Sequence, residues 1–185
     1  DKLGGVVAGH SGHLCDMAGF RLPIESVALQ ALVSEPIKPC MDVVVMANTV
    51  HGYMSQSDKG EMVIGGGTDG YNNYTQRGSF HHIEETVRAL IETFPMVSRL
   101  KMLRQWGGIV DVTGDRSPIL SKTPVEGMFI NCGWGTGGFK AIPGSGWAMA
   151  ELMAKGHSPL TDEFSMHRFR EGKFIDESVA AGVAR

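Results

Sequence analysis

The chain has 185 residues, 42% of them hydrophobic and 20% charged, with a formal net charge of −3. These values are typical of a globular protein with a hydrophobic core, and they exclude the strongly basic surface of a nucleic-acid-binding protein. No apolar run approaches the ~18 residues of a membrane span. The sequence therefore predicts neither a nucleic-acid partner nor insertion into a membrane.

The cysteines and the start of the chain suggest where the protein works and what it is part of. Cys15, Cys40 and Cys132 show neither paired nor metal-type spacing. An odd number of scattered cysteines is typical of a reducing compartment, so we expect a cytoplasmic protein. The chain opens at Asp1 on an apolar segment without an initiator Met. We therefore expect it to be the C-terminal part of a longer polypeptide.

Short apolar segments broken by glycine and proline predict several strands in the first half of the chain. A turn at Asp58–Gly60 indicates a hairpin. The predicted elements are a strand at Leu3–Ala8 ending at Gly9, a short helix from His10 to Cys15, strands at Leu29–Glu35 and Asp42–Ala47, hairpin strands at His51–Gln56 and Glu61–Gly65, and a loop at Gly65–Tyr74.

The second half begins with the clearest helix, whose apolar residues follow the 3.6-residue period from Ile83 to Phe94 until Pro95 ends it. Then come a predicted strand at Lys101–Thr113 with a bulge or close approach at Gly107–Gly108, a turn at Asp115–Pro118, a strand from Met128, and a helix from Pro143 to Lys155 capped by Gly156. This order predicts an α+β fold with a mixed, largely antiparallel sheet and flanking helices.

The glycine bend, defined here as Gly133–Gly138, carries the strongest functional signal. Four of its six residues are glycines, and it joins the Met128 strand to the last helix. Glycines let a backbone approach a ligand closely, and free N–H groups at a helix start favour negative charge. Lys140 opposes the helix dipole there, at a cost of a few tenths to about 1 kcal/mol. The pattern therefore predicts an anionic ligand beside the bend.

Two other interpretations of the glycine bend have to be weighed. The bend formally matches G-x-G-x-x-G, but no second β–α–β strand follows Lys155, so we reject a dinucleotide fingerprint here. The bend could also be a tight turn that only packs a helix onto a sheet. Lys140 and the neighbouring aromatic residues Trp134 and Phe139 favour a ligand over that alternative.

The segments Asn131–Lys140 and Pro143–Gly146 resemble the C-terminal flavin motif of the D-amino-acid-oxidase-like amine oxidoreductases. Within this family they are most similar to the beta subunits of heterotetrameric sarcosine oxidases, and the similarity covers essentially the whole chain. Other segments agree with it, namely Leu29–Pro36, Gly60–Gly65, Arg104–Asp111 and Arg168–Gly172.

The resemblance implies cofactors, a reaction and partners. The family binds FAD noncovalently through an N-terminal Rossmann motif that this sequence lacks, and these beta subunits carry a second flavin, FMN, covalently on a histidine expected upstream of Asp1. The implied reaction is oxidative demethylation of sarcosine to glycine, with peroxide formation and transfer of the one-carbon unit to tetrahydrofolate. The implied partners are a small amino-acid substrate and the alpha, gamma and delta subunits.

The resemblance also assigns residues and domains. Gly135, Gly138 and Lys140 match FAD contacts, and the lysine also pairs with the substrate carboxylate. The remaining cofactor-binding candidates are Thr136, Gly137, Phe139, Ala8 and Gly9. The implied organisation is the end of the FAD domain at 1–20, a substrate-binding domain at 21–112, the C-terminal flavin motif at 113–160 and a tail at 161–185.

Other polar and aromatic residues have two interpretations each. Arg104 with Trp106 fits a flavin contact or a stacked surface pair. Asp111 and Asp115 could act as an acid and a base, but an Asp at a strand end more often forms a turn. The adjacent His81 and His82 are expected on the solvated surface because neighbouring helix residues point to different faces.

Three further candidates are weaker. His10 is the histidine best placed to lie near a cofactor, since it follows Ala8–Gly9. Tyr71 and Tyr74 could face a partner or the entrance of an active site, although aromatic residues in such a loop are often simply exposed.

Three functional classes stay open from the sequence. The first is an oxidase subunit, and the second is a sarcosine, dimethylglycine or other amino-acid dehydrogenase subunit that passes electrons to an acceptor other than oxygen. The third is a non-catalytic folding or interaction module, since the chain lacks a nucleotide-binding half.

Overall fold

The structure is a computed structural model that describes residues 1–47 and 52–175. It divides into two compact units, and the chain passes from one to the other inside two long strands. Unit 1 holds Asp1–Val27 and the described chain from Val110 onward, and unit 2 holds Ala28–Ile109. Each unit has a hydrophobic core of its own.

Unit 1 contains a three-stranded sheet in the order β1-β8-β7, where β1 runs parallel to β8 and β7 antiparallel to it. Every residue of β8 is buried, as expected for a central strand covered on both faces. The elements of this unit are β1 (Leu3–Gly5), α1 (Ser11–Met17), β7 (Ile119–Lys122), β8 (Met128–Cys132), α3 (Gly138–Lys155) and α4 (Arg168–Glu171).

Unit 2 contains most of a five-stranded sheet in the order β3-β4-β5-β2-β6, whose first three strand pairs are antiparallel. α2 packs its apolar side against the sheet, with Leu90 fully buried beside Met54, Met62 and Ile64. The elements are β2 (Ile24–Pro36), β3 (Val45–Ala47), β4 (Gly52–Gln56), β5 (Glu61–Thr68), α2 (Phe80–Thr93) and β6 (Met102–Thr113).

These elements confirm the predicted α+β class with an antiparallel sheet. The hairpin turns at Gly60, which has a φ of +99°, and Gly156 caps α3 with a φ of +78°. Both angles suit glycine because it lacks the Cβ that makes this region unfavourable. Gly107 is a close approach, since its N–H donates to the Gln76 carbonyl at 2.9 Å. The residue at position 51 of the predicted hairpin lies outside the described residues.

Several predicted boundaries were wrong. β1 ends at Gly5, and Ala8–His10 forms a 3-10 turn rather than the end of a strand. β5 continues through Gly65 to Thr68, because pairing with β2 and β4 keeps these glycines extended. β3 starts only at Val45. The strand Ile119–Lys122 had not been predicted, since its four residues carry little periodicity.

The start of α3 is the correction that matters most for function. The helix begins at Gly138 rather than at Pro143, which lies inside it. Lys140 is therefore in the first helical turn and not in a loop. Among residues 1–47 and 52–175, no helix combines the length and apolar character needed to cross a membrane.

Candidate functional site

The candidate site lies at one edge of the sheet in unit 1. Because β1 and β8 are parallel, with Gly5 opposite Ile130, the segments that follow them emerge at the same edge. Cys15 of α1, the helix that follows Ala8–Gly9, packs in the same core cluster as Cys132 at the end of β8. The carboxyl ends of parallel strands are where α/β sheets place ligands. The structure thus brings the two predicted cofactor-binding segments together.

The glycine bend has a defined backbone path. Gly133 and Gly135 have φ angles of +76° and +52°, which a residue with a Cβ rarely adopts. A 3-10 turn spans Gly135–Gly137, in which the Gly137 N–H donates to the Trp134 carbonyl at 2.9 Å. Because the Gly137 amide already donates to a protein carbonyl, the N–H groups expected to favour a negative ligand are those at the start of α3.

The first turn of α3 is not capped by a side chain. The N-terminal amides of a helix lack i−4 carbonyl partners and carry partial positive charge, so this end suits a negative group. Gly138 is the first helical residue, and Gly137 stands at the cap position.

The glycines of the bend differ in why they are there. A Cβ at Gly133 would lie 2.7 Å from the Thr113 methyl, so packing and backbone angle both require glycine. A Cβ at Gly137 would meet only Lys140 Cε, at 3.9 Å, and the φ of −89° suits any residue. Neither packing nor backbone explains Gly137. Its bare face fits the close approach of a ligand.

The side chains after the bend point outward. Phe139 is 89% exposed, and Lys140 is exposed as well. Lys140 forms no ion pair with any residue in the described part of the chain. Trp134 is half-buried, and its indole N–H donates to the Asn131 side-chain oxygen at 2.6 Å. The Trp134 indole is held by this hydrogen bond, whereas the Lys140 ammonium group is exposed and could contact a ligand.

Ala8 adopts a left-handed conformation with a φ of +46°, which is unusual for a residue with a Cβ. Its carbonyl accepts a hydrogen bond from Ser11 Oγ at 2.6 Å, and the Gly9 carbonyl accepts one from Ser26 Oγ at 2.7 Å. Backbone strain of this kind is often found at functional sites. The two hydroxyls hold this segment in place beside the end of β8.

Asp111 is the residue of this site whose role the sequence did not reveal. It is 3% exposed, and its carboxylate accepts a hydrogen bond from the Gly133 N–H. Burial raises the pKa of Asp111, although bonds from the backbone N–H groups of Gly133 and of Asp111 itself oppose that shift. The expectation that Asp111 forms a local turn was wrong, because it bonds to the bend 22 residues away.

Asp115 does form the predicted turn, since it accepts from the Ser117 N–H at 3.2 Å. It also makes a buried two-bond ion pair with Arg168, with N–O distances of 2.7 and 3.0 Å. Burial raises the pKa of Asp115, but bonds from Arg168 and the Ile175 and Ser117 amides outweigh it, so the net pKa lies below its usual value. This pair fastens the segment after α3 and is too enclosed for acid–base work.

The two buried thiols of unit 1, Cys15 and Cys132, are not expected to act as nucleophiles. Burial, together with Asp111 and Cys15, raises the pKa of the Cys132 thiol. Burial and the adjacent Asp16 raise the pKa of Cys15 to about 11. Both thiols stay protonated at neutral pH, and only a thiolate is a good nucleophile.

In unit 2, the prediction for the two histidines was half wrong. His81 is exposed, but only 11% of the His82 side chain is exposed, and its Nε2 lies 2.6 Å from Asp69 Oδ1. Arg104, Tyr71 and Tyr74 are exposed, and Trp106 is 39% exposed. Across the residues that the structure describes, no group of three or more His, Cys, Asp or Glu could hold a metal ion.

Comparison with known proteins agrees with this arrangement. Residues 5–152 match the family described as "DAO: FAD dependent oxidoreductase". The chain is 82% identical to "Sarcosine oxidase subunit beta" of Rhodobacter capsulatus over 99% of its length, and 53% identical to the protein of the same name from Arthrobacter sp over 96%. It spans 44% of the length of each of these two relatives.

Solved structures share the fold. L-proline dehydrogenase from P. horikoshii matches with a TM-score of 0.85 and 24% identity, over 94% of this chain and 48% of that one. Glycine oxidase from Geobacillus kaustophilus matches with a TM-score of 0.77 and 20% identity, over 88% of this chain and 45% of that one. By its sequence match and its fold, the chain belongs to the family of FAD-dependent oxidoreductases.

Proposed function

We propose that this chain is the C-terminal part of a flavin-dependent oxidase subunit that demethylates sarcosine to glycine. The observation that carries the proposal is the uncapped start of α3, with the bare face of Gly137 before it and the charge of Lys140 in its first turn. The 82% identity to a protein named sarcosine oxidase subunit beta supports the choice of substrate.

The residues of the bend fit a flavin. Gly135, Thr136, Gly137, Gly138 and Phe139 would line the ring edge, and Ala8–Gly9 would lie beside it at the same sheet edge. When bound, FAD would supply the acceptor for a hydride from the N-methyl carbon of the substrate.

The chain's own groups would hold and orient the reactants. The N-terminal end of α3 would stabilise negative charge at the pyrimidine edge of the ring, because its dipole and N–H groups point there. Lys140 would hold the substrate carboxylate as a point charge. Trp134, fixed by its bond to Asn131, would help to exclude water. Loss of the hydride from the N-methyl carbon and of a proton from the nitrogen would convert the substrate amine into an imine.

The remaining parts of the proposal concern the whole protein. A second flavin, FMN, would be attached covalently upstream of this chain and would pass electrons to oxygen, giving peroxide. Alpha, gamma and delta subunits would complete the enzyme, and tetrahydrofolate would accept the one-carbon unit. We expect such an enzyme in the cytoplasm.

The test is Lys140→Met in the full-length subunit assembled into its holoenzyme. Losing the charge that holds the carboxylate should raise the KM for sarcosine about 100-fold, the loss typical of a charge-assisted contact. The flavin absorption spectrum should stay unchanged. Lys155→Met is the matched control, because Lys155 is an exposed lysine of the same helix that pairs with Glu151. An unchanged KM in Lys140→Met would remove Lys140 from the substrate site.

A dehydrogenase subunit is the second candidate. It is favoured by the 33% identity to a D-amino acid dehydrogenase of Vibrio atlanticus over 42% of this chain. Measuring oxygen consumption against reduction of an artificial dye by the holoenzyme separates the two. A non-catalytic module is the third candidate, and it is tested by titrating the chain with FAD and recording whether the flavin spectrum shifts.

A further inference from the structure

We propose that Asp111 is a positioning residue of the flavin site, acting through its hydrogen bond to the Gly133 amide. This inference rests on the proposed function, because it takes the glycine bend as the surface on which the cofactor lies. Asp111 itself would touch neither the cofactor nor the substrate.

The first argument is that the Asp111 carboxylate is buried without a compensating cation. It is 3% exposed and forms no ion pair with any residue of the described ranges. Its bond partners are backbone N–H groups, chief among them that of Gly133. Burying a carboxylate without a cation is costly, and Asp115 in the same unit is paired with Arg168. Because burying this carboxylate costs free energy of folding, we expect Asp111 to have a functional role.

The second argument is where the bond acts. Gly133 is the first residue of the bend, and its left-handed φ of +76° turns the backbone from the end of β8 into the bend. Three consecutive residues at the end of β6 meet this point. Asp111 binds the Gly133 amide, Val112 bridges to Trp134, and Thr113 packs against Gly133. Of these three contacts, the Asp111 bond is the one made by a charged side chain.

The third argument concerns how the two ends of α3 are held. At its far end, α3 is anchored in the core by Ala148, Met149 and Leu152. At its near end, no side chain caps the helix, and Phe139 and Lys140 are exposed. A bond from an ionised acceptor is roughly twice as strong as a neutral one. We therefore infer that the Asp111 bond helps to orient the first turn.

Two substitutions separate the bond from the charge. Asp111→Asn keeps an oxygen that accepts from the Gly133 N–H but removes the charge. Asp111→Ala removes the acceptor. Asp162→Ala, at an exposed carboxylate of the same unit, is the control for losing a negative charge.

The variants are made in the full-length subunit and assembled into the holoenzyme, which is then stripped of FAD. We measure the Kd for FAD by fluorescence, and hydrogen exchange of the segment 131–138 by mass spectrometry before and after FAD is added. Circular dichroism at the same temperature shows that each variant is folded. If Asp111→Ala does not fold, Asp111→Leu replaces it, since leucine fills the space without an acceptor.

The expected result is that Asp111→Ala speeds exchange of the segment and raises the Kd for FAD at least tenfold. Asp162→Ala should stay within about threefold of the wild type, and Asp111→Asn, which keeps a neutral acceptor, should fall between the wild type and Asp111→Ala. The proposal is overturned if Asp111→Ala binds FAD as the wild type does, or if Asp111→Asn weakens binding as much as Asp111→Ala. A different result would overturn the proposed function, namely wild-type protein in which FAD leaves the exchange of the bend unchanged.

Discussion

Two glycine-rich loops, one in each unit, lead from a strand into a helix and are held in opposite ways. In unit 2, the loop after β5 is fastened by buried side chains, and Ser79 caps α2 by accepting from the His82 N–H. In unit 1, the glycine bend is fastened by its backbone and by Asp111, and no side chain caps α3.

The difference explains why only one of the two helix starts is a candidate site. At the start of α2, the cap hydroxyl takes up a terminal amide, and Gln30 accepts from the Ser79 N–H at 2.7 Å. At the start of α3 no side chain takes up a terminal amide, and this is where we propose that the ligand binds. Of these two glycine-rich loops, the one that we propose as a binding surface precedes the helix without a side-chain cap.

The largest expected effect comes from breaking the side-chain network in unit 2. Asp69 accepts from Gln30 at 3.1 Å and Asn73 at 2.6 Å and contacts His82 at 2.6 Å. Asp69→Ala would remove these three contacts from buried and half-buried side chains at once, so we expect the free energy of unfolding to fall by about 3 kcal/mol. Urea denaturation measures this change.

Asp58→Ala, at an exposed residue of the β4–β5 turn, is the control and should cost less than about 0.5 kcal/mol. A loss below about 1 kcal/mol in Asp69→Ala would show that side chains do not hold the unit 2 loop.

The next effect compares one glycine from each loop. Gly133→Ala places a Cβ 2.7 Å from the Thr113 methyl and forces alanine to a φ of +76°, so we expect a loss of about 2 kcal/mol in urea denaturation. Gly70→Ala meets no atom within 4 Å, and its φ is not positive, so it should change stability by less than about 0.5 kcal/mol. Equal losses would contradict the claim that the bend depends on its backbone.

The smallest effect on stability is expected from Gly137→Ala, which tests most directly whether the glycine bend of unit 1 binds a ligand. Gly137→Ala fits its backbone angle and meets only the end of Lys140, so the urea midpoint should hardly move. The new methyl would occupy the face where we place the flavin, so the Kd for FAD should rise about tenfold. Gly144→Ala, in open space on the same helix, is the matched control. Unchanged FAD affinity in Gly137→Ala would argue against a ligand on that face.

The sequence predicted the fold where local signals were strong. The periodicity of α2 with Pro95 after it, the Gly60 turn and the Gly156 cap each act within a few residues. The early start of α3 is harder to predict, because proline favours the first turn of a helix and Pro143 therefore indicates a start five residues too late.

Only part of the candidate site could be predicted from the sequence, because some of its contacts join residues far apart in the chain. The bend itself stands out by its glycine content. Asp111 and His82, in contrast, contact Gly133 and Asp69, which lie 22 and 13 residues away in the sequence. No spacing rule pairs Asp111 with Gly133, because tertiary packing alone brings them together. The one usable signal was an acidic residue within an otherwise apolar strand end.

Pro143 has a mechanical consequence for the segment that carries Lys140. Proline has no N–H, so the carbonyl of Phe139 loses the bond that the residue four positions on would normally donate. The first turn of α3 is therefore joined to the rest of the helix by one backbone hydrogen bond fewer than in a helix without proline. We expect hydrogen exchange to be faster in this turn, which carries Lys140, than in the half of the helix that buries Ala148, Met149 and Leu152.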